Sequence, residues 1–321
     1  MDQSTPSYPC RVQRLKNALV FSGSSIALLA AFTLLKISAP PHAQSAGIML
    51  ALGLAFGSFL NALAYRLPIM IEQAWLRECR EAVGLATAGH ARVTLSRPRS
   101  HCPACGHELA LWELIPVISY IWLRGRCHSC GRTISLRYPA VELAIASCFA
   151  LIGWTYGFQL QTLGLAVFVY FLAALALIDL DARLLPDALT QPLLWLGLLA
   201  NTFQLQSSLN EAVIGAAAGY ALMWSIAALS RLATGKDGLG EGDFKLVAAM
   251  AAWLGWPALP LIILLSFSTS AAIGTMRIKL RLAQPDSPQP FGPYLVAAGL
   301  VSLIWGRQII DWYLRIALSG Y

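Results

Sequence analysis

The feature that most constrains this chain is a series of nine apolar runs, at about residues 17–36, 46–65, 139–157, 160–180, 188–204, 211–230, 243–256, 258–276 and 291–306. A helix that crosses a bilayer needs about 20 consecutive, mostly apolar residues. Most of the runs approach that length. The seventh is the shortest and reads as a partial span or one arm of a helical hairpin. Within lipid, every backbone N–H and C=O must find a partner inside the protein, so such runs fold as helices. The expected fold class is an all-α polytopic membrane protein with about eight or nine transmembrane helices. Composition agrees: 57% of the 321 residues are hydrophobic and 12% charged, against about 25% charged in a soluble domain.

Charge sets the orientation. Apart from Lys36, Arg307 and Arg315, the 23 lysines and arginines precede the first run or lie in or beside the segments after the second, fourth, sixth and eighth. Cytoplasmic loops carry the excess of Lys and Arg, so the N-terminus and these segments are expected in the cytoplasm. The net charge of +7 then reports topology, and its dispersal among membrane loops argues against a nucleic-acid partner. Membrane lipids are the expected surroundings. The first run follows Arg11, Arg14 and Lys16. An uncleaved helix is the favoured reading there, with signal cleavage near the small residues of 39–46 as the alternative.

The largest polar segment, 66–138, contains Cys102-Pro-Ala-Cys105-Gly106 and Cys127-His-Ser-Cys130-Gly131. Two such knuckles supply four thiolates for one tetrahedral zinc ion. Four protein ligands leave no open position, so the zinc is expected to be structural. An iron–sulfur cluster and a redox dithiol are the weaker alternatives. His101, His107 and His128 read as surface residues rather than ligands. Cys10 and Cys79 have no evident partner, and Cys148 lies in an apolar run as a small packed residue.

Asp179 ends one apolar run and Asp243 begins another, after Gly240-Glu241-Gly242. The expected topology puts both at the cytoplasmic membrane edge, where ionisable residues are costly and mark function. Two adjacent carboxyls share one proton: one activates water as a base while the other polarises a carbonyl as an acid. Taken singly, Asp179 could be a helix end and Gly-x-Gly a flexible loop. Asp181 and Asp187 read as loop or helix-cap residues. Glu72, Glu113 and Glu142 have ordinary explanations in polar loops or at helix ends.

In order along the chain, several motifs resemble the type IV prepilin peptidase family. They are Gly57-Ser58-Phe59-Leu60-Asn61 running on to Arg66-Leu67-Pro68, the two cysteine pairs, and Arg137-Tyr138-Pro139-Ala140-Val141-Glu142-Leu143. Ile178-Asp179 with Leu185-Pro186-Asp187, Gly240-Glu241-Gly242-Asp243-Phe244-Lys245 and Pro290-Phe291-Gly292-Pro293-Tyr294 follow. The resemblance spans about residues 46–306. It implies a multi-pass enzyme of the bacterial inner membrane that cuts the basic leader of type IV prepilins and type II secretion pseudopilins. The cut follows a glycine on the cytoplasmic side, with Asp179 and Asp243 as the catalytic pair. It also implies methylation of the new N-terminal residue from S-adenosylmethionine, an activity that rests on resemblance alone.

The expected division is an N-terminal extension at 1–45 with an extra span, and the family's first span at 46–65. A basic cytoplasmic subdomain with the four-cysteine zinc site follows at 66–138, associated by resemblance with methyl transfer. The membrane-embedded aspartyl peptidase domain occupies 139–321. Three other readings compete: a peptidase without methyltransferase activity, a proton-coupled carrier, and a non-enzymatic assembly scaffold. Against a carrier, the acids lie at one face rather than near the midplane.

Overall fold

The computed structural model describes residues 41–84, 93–235, 239–282, 284 and 289–318. The expected span at 17–36 lies outside the described residues, as does Cys10. Helix α1 runs Pro41–Ala82. At 1.5 Å per residue its 42 residues extend about 63 Å, twice the apolar thickness of a bilayer. The apolar run stops near residue 65, but the helix does not. Beyond Arg66 the sequence is rich in Leu, Ile, Met, Glu, Gln and Arg, which are mostly good helix formers, and Pro68 sits inside the helix.

After the cysteine segment come α2 (Ile118–Trp122), α3 (Arg137–Tyr156), α4 (Leu160–Ala182), α5 (Asp187–Thr202) and α6 (Leu209–Thr234). The chain continues with α7 (Glu241–Leu254), α8 (Leu259–Lys279) and α9 (Gly292–Leu318). Single 3-10 turns lie at Leu111–Leu114 and Trp256–Ala258. Among the described residues, β pairing is limited to two isolated bridges, His101 with Glu108 and Arg126 with Thr133.

Six described helices are long and apolar enough to cross a membrane: α1, α3, α4, α6, α8 with the turn before it, and α9. The molecule is an all-helical membrane protein. The runs at 188–204 and 243–256 form the shorter helices α5 and α7, of 16 and 14 residues. At about 24 and 21 Å they fall short of the ~30 Å hydrocarbon core. Helix α7 is apolar for another reason: Phe244 and every residue from Leu246 to Trp253 are buried within the protein. Its neighbours are α5, α6 and α9.

The buried C-terminal end of α7 leaves carbonyls that need donors. Asn201 of α5 supplies them, its Nδ2 donating to Ala252 O at 2.8 Å and Trp253 O at 2.9 Å. Trp253 Nε1 returns a bond to Leu193 O at 2.8 Å. These bonds fix α7 along its axis and so fix the depth of Asp243 at its other end. A second close packing joins α1 to α3. A Cβ on Gly53 would fall 2.6 Å from Ala146 Cα, and one on Gly57 would fall 2.8 Å from Glu142 Cα.

Candidate active site and metal centre

Asp179 lies in the last turn of α4. Arg183, left-handed at φ 53, closes that helix by donating its N–H to Asp179 O at 2.9 Å. Asp243 lies in the first turn of α7. Its Oδ2 accepts the Gly240 N–H at 3.1 Å, which holds the carboxylate against the helix start. Asp243 is within electrostatic reach of Asp179, and both are nearly buried, at 6% and 8% exposed. One helix end and one helix start, 64 positions apart in the sequence numbering, thus bring two carboxyls of low solvent access within electrostatic reach of one another.

A third element closes on Asp179. Gly292, first residue of α9, donates its N–H to Asp179 Oδ2 at 2.8 Å. A Cβ there would fall 2.8 Å from the same oxygen. Gly242 is similarly confined, since its Cβ would fall 2.7 Å from Leu185 Cβ.

Two ion pairs flank the acids. Lys245 Nζ donates to Asp187 Oδ1 and Oδ2 at 2.7 and 2.9 Å, tying α7 to α5. Arg137 clasps Asp181 through two bonds of 2.6 Å, tying the start of α3 to the end of α4. The cap reading of Asp187 is corrected. Pro186 holds the cap position and Asp187 lies inside the first turn, where its carboxylate turns to Lys245. Because Arg137 directly follows the cysteine segment, the Asp181 pair puts that segment and the two acids on one face of the helix bundle.

The remaining motif residues join α1 to that face. Asn61 Nδ2 donates to Tyr138 O at 3.2 Å. Arg66 is buried and donates through one nitrogen to Thr94 O and Leu95 O, at 3.1 and 3.2 Å. Pro68 lies just beyond, within α1. Glu142 is buried near Ser58, and its Oε2 accepts the Val117 N–H at 2.8 Å. Glu113 is buried too, accepting from Ala110 N at 2.6 Å and meeting His107 Nε2 at 3.2 Å. The ordinary loop and helix-end readings of Glu113 and Glu142 are therefore corrected: both acids fasten chain segments together.

The four cysteines form a second centre. Their sulfurs all lie within 4.8 Å of one another, with Cys102 to Cys130 at 3.9 Å and Cys105 to Cys127 at 4.0 Å. A tetrahedral zinc–thiolate site with Zn–S near 2.3 Å has sulfur–sulfur edges of about 3.8 Å, so the cluster fits a metal of that kind. Each knuckle turns at a glycine of positive φ, 71° at Gly106 and 70° at Gly131. There the glycine amide donates to Cys102 O or Cys127 O at 2.9 Å. The amides of Ala104 and Cys105 hold the Cys102 thiol down at about 6. Cys130 takes a favourable bond from the Arg132 amide, yet the sulfurs of Cys105, Cys127 and Cys102, with burial, push its thiol up to about 11. Four sulfurs this close do not all ionise unless a cation offsets their charge. The histidines stay outside the cluster, His107 turned to Glu113 and His101 to the Arg99 carbonyl.

Comparison with known proteins bears on both centres. Residues 51–156 match the bacterial peptidase A24 N-terminal domain, and residues 166–275 match the type IV leader peptidase family. A prepilin leader peptidase/N-methyltransferase of Pseudomonas aeruginosa is 49% identical over 267 residues, covering 83% of this chain and 92% of the relative. The chain belongs to the type IV leader peptidase family. Proteins of the same name from Stutzerimonas stutzeri and Aeromonas salmonicida are each 47% identical, covering 84% and 83% of this chain and 93% and 92% of theirs. No solved structure matches.

For a member of this family, the four cysteines fall in the N-terminal match and both aspartates in the second. Gly292 lies beyond both. Its tie to Asp179 is silent in sequence, because a backbone N–H leaves no side-chain signal. The signal at hand was the Pro-Phe-Gly-Pro string around it.

Proposed function

We propose that this chain is a prepilin leader peptidase of the bacterial inner membrane, with Asp179 and Asp243 as its catalytic pair. The carrying observation is that both are buried and within electrostatic reach of one another, with Asp243 Oδ2 held by the Gly240 amide at its own helix start and Asp179 Oδ2 by the Gly292 amide of α9. That leaves the two Oδ1 atoms as the ones assigned to chemistry. One carboxylate takes a proton from water as the oxygen attacks the scissile carbonyl, and the protonated partner gives its proton to the carbonyl oxygen. The tetrahedral diol then collapses, the C–N bond breaks, and the leaving nitrogen collects a proton from the pair. The two titrate as one unit, so the roles belong to the pair rather than to either residue.

The substrates are type IV prepilins and, by the same chemistry, type II secretion pseudopilins. A basic leader before a long apolar helix puts the scissile bond at the membrane edge, and a glycine there eases local unwinding of the helix. The loop charges support a cytoplasmic N-terminus and active site. Gly240, Gly242, Gly57, Asn61, Arg66, Pro68 and Glu142 support the site by packing and hydrogen bonding. Cys102, Cys105, Cys127 and Cys130 would hold a structural Zn²⁺, which would supply a fixed fold to the segment between α1 and α3. The relatives' shared name supports N-methylation from S-adenosylmethionine as a second activity. No residue of this chain is assigned to the methyl donor.

The test is expression in a strain lacking its own prepilin peptidase, together with a prepilin. Shortening of the prepilin at the glycine supports the reading, and a mass gain of one methyl group on the new N-terminus supports the second activity. An uncut prepilin beside normally inserted protein contradicts it.

A further inference from the structure

The stretch from Leu111 to Trp122, between the two knuckles, is apolar and ordered, yet its large side chains are bare. Ile118, Ile121 and Trp122 are 59%, 69% and 79% exposed, and Leu111, Trp112 and Ile115 are exposed as well. Soluble surfaces rarely gather so much contiguous apolar area without a partner. The one charged residue in the stretch, Glu113, is turned inward with its side chain 1% exposed. Its bonds to Ala110 N and His107 hold the apolar neighbours outward.

The depth of this stretch is fixed by a single bond. Val117, held at φ 59, gives its N–H to Glu142 Oε2 at 2.8 Å. Glu142 is five residues into the spanning helix α3, about 7.5 Å along its axis from Arg137. On its other side it meets Ser58 of α1, also within a span. Val117 therefore sits level with the second turn of α3 and with Ser58, 17 residues into α1, inside the apolar part of two spans, and the bare side chains around it continue the exposed apolar surface of those helices. Two exposed arginines, Arg124 and Arg126, follow directly. An aromatic and aliphatic face beside basic residues is the pattern of an interfacial anchor that meets anionic headgroups.

We infer that Leu111–Trp122 is a membrane anchor lying in the boundary between headgroups and acyl chains, which pins the four-cysteine cluster flat against the bilayer. The occupant of its apolar face is phospholipid. This rests on the membrane spans and on the Val117–Glu142 bond, and it is independent of whether Asp179 and Asp243 are catalytic. The anchor would hold the metal centre at the height of the acid pair rather than leaving it free in solution.

The experiment uses the full chain in vesicles of phosphatidylethanolamine and phosphatidylglycerol, without prepilin. Photoreactive p-benzoylphenylalanine is introduced at Ile118 or Ile121, with exposed Leu264 of α8 as the lipid-facing reference and exposed Ser129 as the aqueous one. Phospholipid adducts at Ile118 and Ile121, as at Leu264 and unlike Ser129, are expected. If Ile118 and Ile121 behave like Ser129, or join a second protein chain instead of lipid, the inference is overturned. A milder variant gives an independent readout. The emission lost on Trp122→Phe, taken as a difference spectrum, should be quenched by acyl-brominated phospholipid. A difference spectrum insensitive to bromine overturns the anchor even where the label had disturbed the fold.

Discussion

The Gly292 N–H donates to Asp179 Oδ2 at 2.8 Å across 113 residues of sequence. The two are so close that a Cβ on Gly292 would stand 2.8 Å from that oxygen. A single methyl group therefore displaces the carboxylate while leaving every charge in place. We expect Gly292→Ala to insert normally and to cut prepilin about 100-fold more slowly, the usual consequence of a misplacement near 1 Å at a reacting group. Cleavage rates at matched membrane levels check this, and an unchanged rate would show that the Asp179 position is not critical.

The pair of Lys245 and Asp187 joins α7 to α5 beside the acids, but its carboxylate is 61% exposed. Partly exposed ion pairs contribute about 0–1 kcal/mol. Asp187→Asn is expected to keep the thermal midpoint within a few degrees and cleavage within about tenfold of wild type. Thermal unfolding in detergent and the cleavage assay report the two quantities separately.

The cysteine cluster makes a metal-content prediction. Purified protein is expected to carry one zinc per chain by elemental analysis, and Cys127→Ser to lose it. Metal binding and folding are one free energy in a segment this small. The stretch 93–136 should then become protease-sensitive while the spans stay inserted. Limited proteolysis followed by mass spectrometry reads this directly.

The contact of α1 with α3 tolerates no added atom at Gly53, whose Cβ would meet backbone 2.6 Å away. Backbone in a packed helix pair cannot step aside as a side-chain tip can. Gly53→Ala is expected to destabilise the protein by about 1–3 kcal/mol, seen as a lower thermal midpoint and reduced membrane levels.

Much of this architecture can be read from the chain itself. Apolar runs and the fourfold cysteine spacing carry their own physics, and loop charge puts Asp179 and Asp243 on one face. Other parts are silent in sequence. The run at 243–256 is as apolar as a true span because α7 is buried among other helices, and burial in protein and burial in lipid select the same residues; α5, from the run at 188–204, keeps Trp195, Leu196 and Leu199 exposed and differs from a span in its length alone. The end of the apolar run in α1 is not the end of the helix, since Arg66 to Ala82 keeps helical propensity after hydropathy falls. Glu113 and Glu142 look like solvent-facing acids because a lone Glu between apolar residues does not announce the backbone N–H it will accept. The reach of Gly292 to Asp179 is a backbone contact between segments far apart, and no local pattern encodes it.

The most direct test of the central claim is prepilin cleavage by wild type, Asp179→Asn, Asp243→Asn and Asp187→Asn, each at verified membrane levels. The account predicts that the first two substitutions each reduce cleavage by about 10²–10⁴-fold, while Asp187→Asn stays near wild type. Near-normal cleavage by either Asp179→Asn or Asp243→Asn would contradict the assignment of this pair as the catalytic centre.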